Sequence, residues 1–170
     1  MHRSGLDAGE TRFALQMLRD QLGRHVWPVH RLDKGTSGVL LFALSPEAAS
    51  AIGQQFEANS VRKTYRAIVR GWPPGAGVID HPLRRIDDFG NHGPAQPAHT
   101  QYQRLARYVL PLPDREFPST RCALIELHPS TGRQHQLRRH CKHIAHPMVG
   151  DATHGKGALN RAITQLLKEQ

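Results

Sequence analysis

Residues 30–44 of the chain read HRLDKGTSGVLLFAL, a polar half rich in turn-forming residues followed by an apolar half. The apolar half, residues 38–44, is typical of a short buried strand, and the glycine, threonine and serine before it are typical of a turn. Ser45 then predicts the N-cap of a helix, with Pro46 in its first turn, that continues to about Ala58. The stretch therefore predicts a polar loop at the rim of a sheet, where functional sites usually form.

Outward from this stretch, the chain contains further predicted helices and strands. Apolar periodicity predicts further helices over residues 10–23, 133–144 and 158–168. Alternating patterns predict strands over residues 63–70, 100–109 and 120–127, and the Gly-, Pro- and Asp-rich residues 80–97 predict a loop. The number of strands is greater than a strict β-α-β alternation would give. We therefore expect an α+β fold with a mixed, mostly antiparallel β-sheet and flanking helices.

Length and charge narrow the class of protein. A chain of 170 residues predicts a single domain over residues 1–170, and a formal charge of +9 with a pI near 10.4 favours a polyanionic partner. The longest apolar run, residues 39–44, is far shorter than the ~20 residues of a membrane span. The two cysteines predict no disulfide framework, and the chain start resembles no secretory signal. We therefore expect a cytoplasmic protein with a nucleic acid as its partner rather than a membrane.

The positive charge is concentrated in residues 127–150, which contain no Asp or Glu. Gly132 is expected to open the predicted helix, whose first turns would then present amides and cationic side chains suited to phosphate. The alternative is a solvated basic helix face. The candidate contacts to a polyanion in this segment are Arg133, His135, Arg138, Arg139 and Lys142.

Asp33 is the candidate for chemistry within the first block. It is flanked by Arg31 and Lys34, so we expect its carboxylate to stay ionised, which suits a nucleophile or a stabiliser of positive charge better than a general acid. The alternative is an N-cap or turn aspartate. Tyr65 lies on the inward face of a predicted strand, where it is either a core residue or a platform on which a base stacks.

Five potential metal ligands, His135, His140, Cys141, His143 and His146, lie close together in sequence. They follow no H-E-x-x-H pattern and have no second cysteine pair, and the arginines among them would repel a dication. We therefore predict no metal site and interpret these histidines as hydrogen-bonded core residues or contacts to RNA.

Three ordered motifs resemble those of the RluA-type pseudouridine synthases. The first is His30-Arg31-Leu32-Asp33 followed by Thr36-Ser37-Gly38, and the second is Lys63-x-Tyr65-x-Ala67-x-Val69-x-Gly71. The third begins at Pro129, continues through Thr131-Gly132-Arg133 and His135-Gln136-Leu137-Arg138 to His140, and is followed by His146-Pro147-x-x-Gly150-Asp151. The motifs span most of the chain.

This resemblance implies an isomerisation of uridine to pseudouridine in RNA that needs no cofactor and no metal. It implies that Asp33 is the catalytic carboxylate, that Arg138 pairs with it, and that Tyr65 stacks on the target base. Arg31 would enter the RNA stack in place of the flipped uridine, and Arg133, His135, Arg139 and Lys142 would contact RNA. His30 receives no role.

More specific sequence features, including Gly93-Pro94-x-Gln96-Pro97-Ala98 and His154-Gly155, resemble those of the subfamily that modifies uridine 65 of tRNA. The resemblance implies a tRNA substrate, with rRNA as the alternative, and a monomer. Compared with that family, we expect a catalytic domain that is incomplete at both termini. An inactive remnant that at most binds RNA is therefore the second hypothesis.

Overall fold

The structure, a computed structural model, describes residues 13–33, 35–87, 89–113, 117–155 and 157–168. The chain divides into two compact units, Met1–Val61 and Arg62–Gln170. Each unit has its own helices and strands.

The first unit contains two helices and a short antiparallel ribbon. Its elements are α1 (Ala14–Leu22), β1 (Trp27–Pro28), β2 (Phe42–Ala43) and α2 (Pro46–Glu57). The predicted end of α1 is confirmed, because Gly23 caps it with a left-handed φ of 61°. Residues 10–12, where the helix was expected to begin, lie outside the described residues. The predicted cap of α2 is also confirmed, since the Ser45 hydroxyl accepts a hydrogen bond from Ala48 N at 3.2 Å.

The prediction of a buried strand over residues 38–44 is wrong. Only Phe42 and Ala43 form a strand, and β2 pairs with β1 alone among the described strands. Val39 is 84% exposed, and Leu41 and Leu44 are also exposed. A strand is buried only where neighbouring strands and a second layer cover it, and an apolar run by itself does not supply that cover.

The second unit is built on a four-stranded antiparallel sheet and a separate hairpin. Its strands are β3 (Tyr65–Arg70), β4 (Ala76–Asp80), β5 (Leu83–Ile86), β6 (His92–Gln96), β7 (His99–Leu110) and β8 (Thr120–Pro129). The sheet order is β3-β8-β7-β4, and β5 pairs with β6. All ladders among the described residues are antiparallel, so the predicted α+β class with a mostly antiparallel sheet is confirmed.

The prediction of a loop over residues 80–97 is wrong, because this segment contains the β5–β6 hairpin. Its turn is held by Asp87, whose carboxylate accepts hydrogen bonds from Phe89 N at 3.0 Å and from Asn91 N at 2.8 Å. Gly90 takes a left-handed φ of 84° in the same turn. Two of the residue types that predict a loop, Asp and Gly, thus help to close a hairpin here.

Two helices complete the second unit, α3 (Gln136–His143) and α4 (Gly157–Lys168). The prediction of α4 is confirmed. The predicted start of α3 is wrong, because residues 133–136 form a turn and His135 precedes the helix with a left-handed φ of 51°. Gly132 therefore does not open the helix.

The core of the second unit lies on one face of the sheet. Alternate β3 residues point into it, with Val69 fully buried and Tyr65 and Ala67 partly buried against it, as their spacing predicts. The facing residues of β8, Ala123, Ile125 and Leu127, are fully buried, and Cys141 of α3 joins them. This packing fixes α3 against the sheet.

Candidate active site

The loop that carries Asp33 is held at both of its ends. His30 stacks on Phe56 of α2 with ring centroids 5.2 Å apart, and its Nε2 accepts a hydrogen bond from Leu41 N at 2.9 Å. Thr36 N donates to the Asp33 carbonyl at 2.9 Å, which closes a tight turn. Gly35 has a φ of 85°, a value that favours glycine. His30, to which the sequence assigns no role, therefore positions the loop, and Lys34 lies outside the described residues.

Tyr65 is the first residue of β3 and is half-buried against the core. The prediction that it faces inward is confirmed. Just before it, the Lys63 ammonium lies 3.4 Å from the Thr131 carbonyl, and burial lowers the pKa of Lys63. Lys63 thus connects the start of β3 to the turn that precedes α3.

That turn is organised by the side-chain amide of Gln136, which is buried at the start of α3. Its Oε1 accepts hydrogen bonds from the Thr131 hydroxyl at 2.8 Å and from Arg133 N at 2.9 Å. Its Nε2 donates to the His99 carbonyl and to the Thr100 hydroxyl oxygen, both at 3.0 Å. One amide therefore joins the turn, the helix and β7.

His140 extends this network into the core. It is fully buried, and its Nε2 lies 3.0 Å from the His81 carbonyl, which can only accept, so this nitrogen donates. Its Nδ1, 2.9 Å from the Thr100 hydroxyl, then accepts a hydrogen bond from that hydroxyl. Burial lowers the pKa of His140 and favours this neutral form. Of the two interpretations of His140, the structure supports a hydrogen-bonded core histidine.

Arg138, which follows two residues after Gln136, forms a bidentate ion pair with Asp151. Its Nε and Nη2 donate to the two carboxylate oxygens, each at 2.7 Å. The side chains are 17% and 4% exposed, so the pair is well shielded from water. A guanidinium has five N–H groups, so a second carboxylate can be bound at the same time. Asp151 lies within the last motif, but sequence reasoning gave it no role.

Asp151 is stabilised as an anion by more than Arg138. Its Oδ1 also accepts hydrogen bonds from Thr153 N and His154 N, both at 2.9 Å. Burial is the largest single influence and opposes ionisation, but the bonds from Arg138, His154 and Thr153 outweigh it. Together they hold the pKa of the Asp151 carboxyl well below its usual range. Arg138 therefore has an ionised partner at all ordinary pH values.

The loop around Asp151 is joined to α4 by the side-chain amide of Asn160. Asn160 of α4 donates to the Asp151 carbonyl at 3.0 Å and accepts from Gly150 N at 2.8 Å. Gly155 lies so close to the chain that an added Cβ would meet the Asp151 carbonyl and, at 2.9 Å, the Met148 carbonyl. Only glycine fits at position 155 without movement of the loop.

The predicted RNA contacts differ in their surroundings. Arg31 and Lys142 are exposed. Arg133 donates to the Pro97 carbonyl at 3.0 Å, and Arg139 donates to the Arg84 carbonyl at 2.7 Å. His135 Nδ1 lies 3.3 Å from His154 Nε2. The basic segment therefore also has a structural function, which its composition did not reveal.

The structure brings together some of the predicted site residues. Arg138 and His135 are joined through the loop of Asp151 and His154, whereas Asp33 belongs to the other compact unit. The predicted pairing of Asp33 with Arg138, and the stacking of a base on Tyr65, stay predictions. In the part of the chain that the structure describes, no three His, Cys, Asp or Glu residues are grouped as metal ligands would be. Chemically, the described residues present the guanidinium of Arg138, held in place by the buried carboxylate of Asp151.

Comparison with known proteins identifies the family of the chain. A family model described as RNA pseudouridylate synthase matches residues 1–143. The tRNA pseudouridine synthase C of Vibrio cholerae is 49% identical, with 100% of this chain and 72% of the relative covered. That of Pasteurella multocida is 51% identical, with 96% and 70% covered.

Two solved structures are also similar. The structure named Human RNA Pseudouridylate Synthase Domain Containing 1 superposes with a TM-score of 0.71 at 30% identity, over 84% of this chain and 60% of that chain. Human RNA Pseudouridylate Synthase Domain Containing 4 gives 0.62 at 33% identity, over 84% and 57%. The chain thus spans less than two thirds of these solved chains and about 70% of the curated relatives. On the family match and these identities, the chain belongs to the RNA pseudouridylate synthase family.

Proposed function

We propose that this chain isomerises uridine to pseudouridine in tRNA. The observation that carries the proposal is its identity of about one half, over nearly its whole length, to relatives named tRNA pseudouridine synthase C. The reaction breaks the bond between C1′ of the ribose and N1 of uracil, rotates the base, and joins C5 to C1′. The proton on C5 is lost, and N1 gains one, so the change involves no net oxidation.

Asp33 is the proposed catalytic carboxylate. An ionised carboxylate beside a sugar centre stabilises the positive charge that develops there when a glycosidic bond breaks. Asp33 acts either as a nucleophile at C1′ or by assisting a glycal route. The hydrogen bond from Thr36 N to the Asp33 carbonyl supports this role, because it fixes the turn and a catalytic group must keep its position while the base rotates.

Arg138 is the proposed partner of Asp33, and Tyr65 the proposed platform for the target base. The bidentate pair with Asp151 supports the role of Arg138, since it fixes the guanidinium before substrate binds. Arg31 is proposed to occupy the place of the flipped uridine in the RNA stack, which lowers the cost of extruding the base. Arg133, His135, Arg139 and Lys142 are proposed to contact the RNA backbone.

The proposal places the protein in the cytoplasm, as a monomer acting on tRNA at uridine 65 without metal or cofactor, with rRNA as the alternative substrate. The charge of +9 supports a polyanionic substrate. Among the described residues, no helix is long and apolar enough to cross a membrane.

The test is release of tritium from tRNA labelled at C5 of uridine, incubated with the protein alone. We expect release by the wild type, none by Asp33→Asn, and wild-type release by the control Asp80→Asn, which changes an exposed acid of β4. Equal release by Asp33→Asn and the wild type would overturn the role of Asp33. No release by a folded wild-type protein that binds tRNA would favour the inactive remnant.

A further inference from the structure

Trp72 lies at the end of the sheet that is remote from Tyr65. Along β3, Tyr65 faces Leu127 and Arg70 faces Cys122. Five residues of a strand span about 17 Å. Trp72 follows just after β3, so it lies beyond the far end of this span from the proposed base platform.

Backbone contacts fix the orientation of the Trp72 ring. Its indole N–H donates to the Cys122 carbonyl at 3.0 Å and to the Tyr108 carbonyl at 3.2 Å. Tyr108 and Cys122 face each other across β7 and β8. The ring is therefore fixed to both strands at this end of the sheet.

Two arginines lie against this ring. The guanidinium carbon of Arg121 is 4.6 Å from the ring centroid, and that of Arg107 is 5.3 Å away. These distances are typical of cation–π contacts, which hold a guanidinium in place without neutralising its charge. Both arginines are exposed, and neither forms an ion pair with a carboxylate of the residues that the structure describes.

Two guanidiniums that are held in place, and that no carboxylate of the described residues neutralises, suit a partner that carries two negative charges close together. RNA phosphates present oxygens that arginine binds through parallel N–H groups, and they repeat along the backbone. The charge of +9 favours such a partner over a surface of mixed charge. A substrate RNA whose target base lies at Tyr65 extends far enough to reach a contact beyond the ~17 Å that separates the two ends of β3.

We propose that Trp72, Arg107 and Arg121, the Trp72 cluster, form a phosphate-binding site for the substrate RNA, separate from the site of base isomerisation. This inference rests on the proposed function, because it takes the substrate to be RNA. The cluster holds the RNA backbone at a distance from the reacting base and contributes to affinity rather than to the chemical step.

The first experiment measures binding of an unmodified tRNA transcript against salt. Arg107→Gln/Arg121→Gln removes two charges from the cluster, and Arg24→Gln/Arg161→Gln removes two exposed charges elsewhere. We expect the cluster variant to weaken binding by roughly 10- to 50-fold near 0.1 M salt and to reduce the slope of log K against log salt by about 1.5. The control is expected to change both far less.

A second experiment tests whether the ring matters apart from the charge. Trp72→Leu keeps both arginines but removes the aromatic surface that fixes them. It should therefore weaken tRNA binding, but by less than the loss of both arginines does. It should have little further effect in the cluster variant, because the two changes act on one contact. Trp72→Phe keeps an aromatic face but lacks the indole N–H, so it should weaken binding less than Trp72→Leu does. A packing effect alone would instead follow the loss of stability of each variant, which urea denaturation measures.

Kinetics separate this inference from the proposed function. The cluster variant should raise KM for tRNA in the tritium-release assay and leave kcat within about twofold of the wild type. Binding equal to that of the control variant, or a loss confined to kcat, would show that the Trp72 cluster does not bind RNA. An acidic protein would then be the partner of its arginines. A wild type without turnover would instead contradict the proposed function, and the binding experiment would still decide the role of the cluster.

Discussion

Asp151 and Arg138 form a buried ion pair whose loss should be measurable in stability. We expect Asp151→Asn to lower the free energy of unfolding by about 3–5 kcal/mol at neutral pH, because it leaves the guanidinium without its charged partner. Urea denaturation gives this difference. Asp80→Asn is the matched control, since its partner His99 is 43% exposed and such surface pairs contribute at most about 1 kcal/mol.

The same pair predicts a pH dependence. The folded-state pKa of Asp151 is depressed, so its contribution is complete above the unfolded value, near 3.8, and is lost as the pH falls through the folded pKa. The wild type and Asp151→Asn should therefore differ by a constant amount from pH 8 to about pH 4 and converge only in stronger acid. Convergence already near pH 6 would contradict the stabilisation of this carboxylate by Arg138.

Individual residues were predictable where a motif names them and not where a contact joins distant positions. Motif spacing identified Asp33, Tyr65 and Arg138 as candidates. It did not pair Arg138 with Asp151, because these residues are 13 positions apart and only folding brings them together. His140 lies in the same motif, and its core position became visible only from its bonds to Thr100 and His81.

At the scale of elements, two glycines should respond to alanine with opposite sign. Gly53 lies inside α2, and an added Cβ would meet nothing within 4 Å. Gly53→Ala should therefore stabilise the protein by about 0.5–1 kcal/mol through helix propensity. Gly155→Ala should destabilise it, because the new Cβ meets the carbonyls of Asp151 and Met148.

Thermal unfolding of both variants checks this contrast. Gly155→Ala should also loosen the loop of Asp151, and therefore lower tritium release at temperatures where the protein is still folded. An increase in stability for both variants would show that the chain near Gly155 adjusts freely, which contradicts the close contacts described for it.

Elements were predicted well where local signals agree with the final packing. The caps of α1 and α2 and the alternation of β3 required only neighbouring residues. Residues 80–97 and 38–44 were assigned wrongly, since turn residues also close hairpins and an apolar run does not ensure burial. Whether such a segment pairs with a neighbouring strand depends on residues far away in the sequence, and a local pattern contains no information about them.

At the scale of the whole molecule, the class of the fold followed from the count of strands, but the order of the sheet did not. The pairing of β3 with β8 joins residues about 60 positions apart, such as Arg66 and Glu126. Sequence alternation indicates which residues face inward and leaves the neighbours of each strand open. Net charge was the most direct indication of a polyanionic partner, because the value of +9 follows from the sequence without knowledge of the fold.

Histidine protonation should change stability and RNA binding in opposite directions. Burial lowers the folded-state pKa of His81, His140 and His154 below the ordinary value of 6.5. Near and below that value the unfolded chain therefore binds more protons than the folded one, and stability falls as the pH is lowered. The chain has 12 histidines in all, and added positive charge strengthens binding to a polyanion.

Urea denaturation and tRNA binding at pH 7.5 and pH 6.0 test this directly, with tighter binding and lower stability expected at the lower pH. His140→Gln removes one of the buried titrating groups, so its stability should fall less over this interval than that of the wild type, even though it is lower at pH 7.5. Its gain in tRNA affinity should match that of the wild type, because His140 is fully buried. A parallel loss of stability in both proteins would show that His140 is not among the groups that resist protonation.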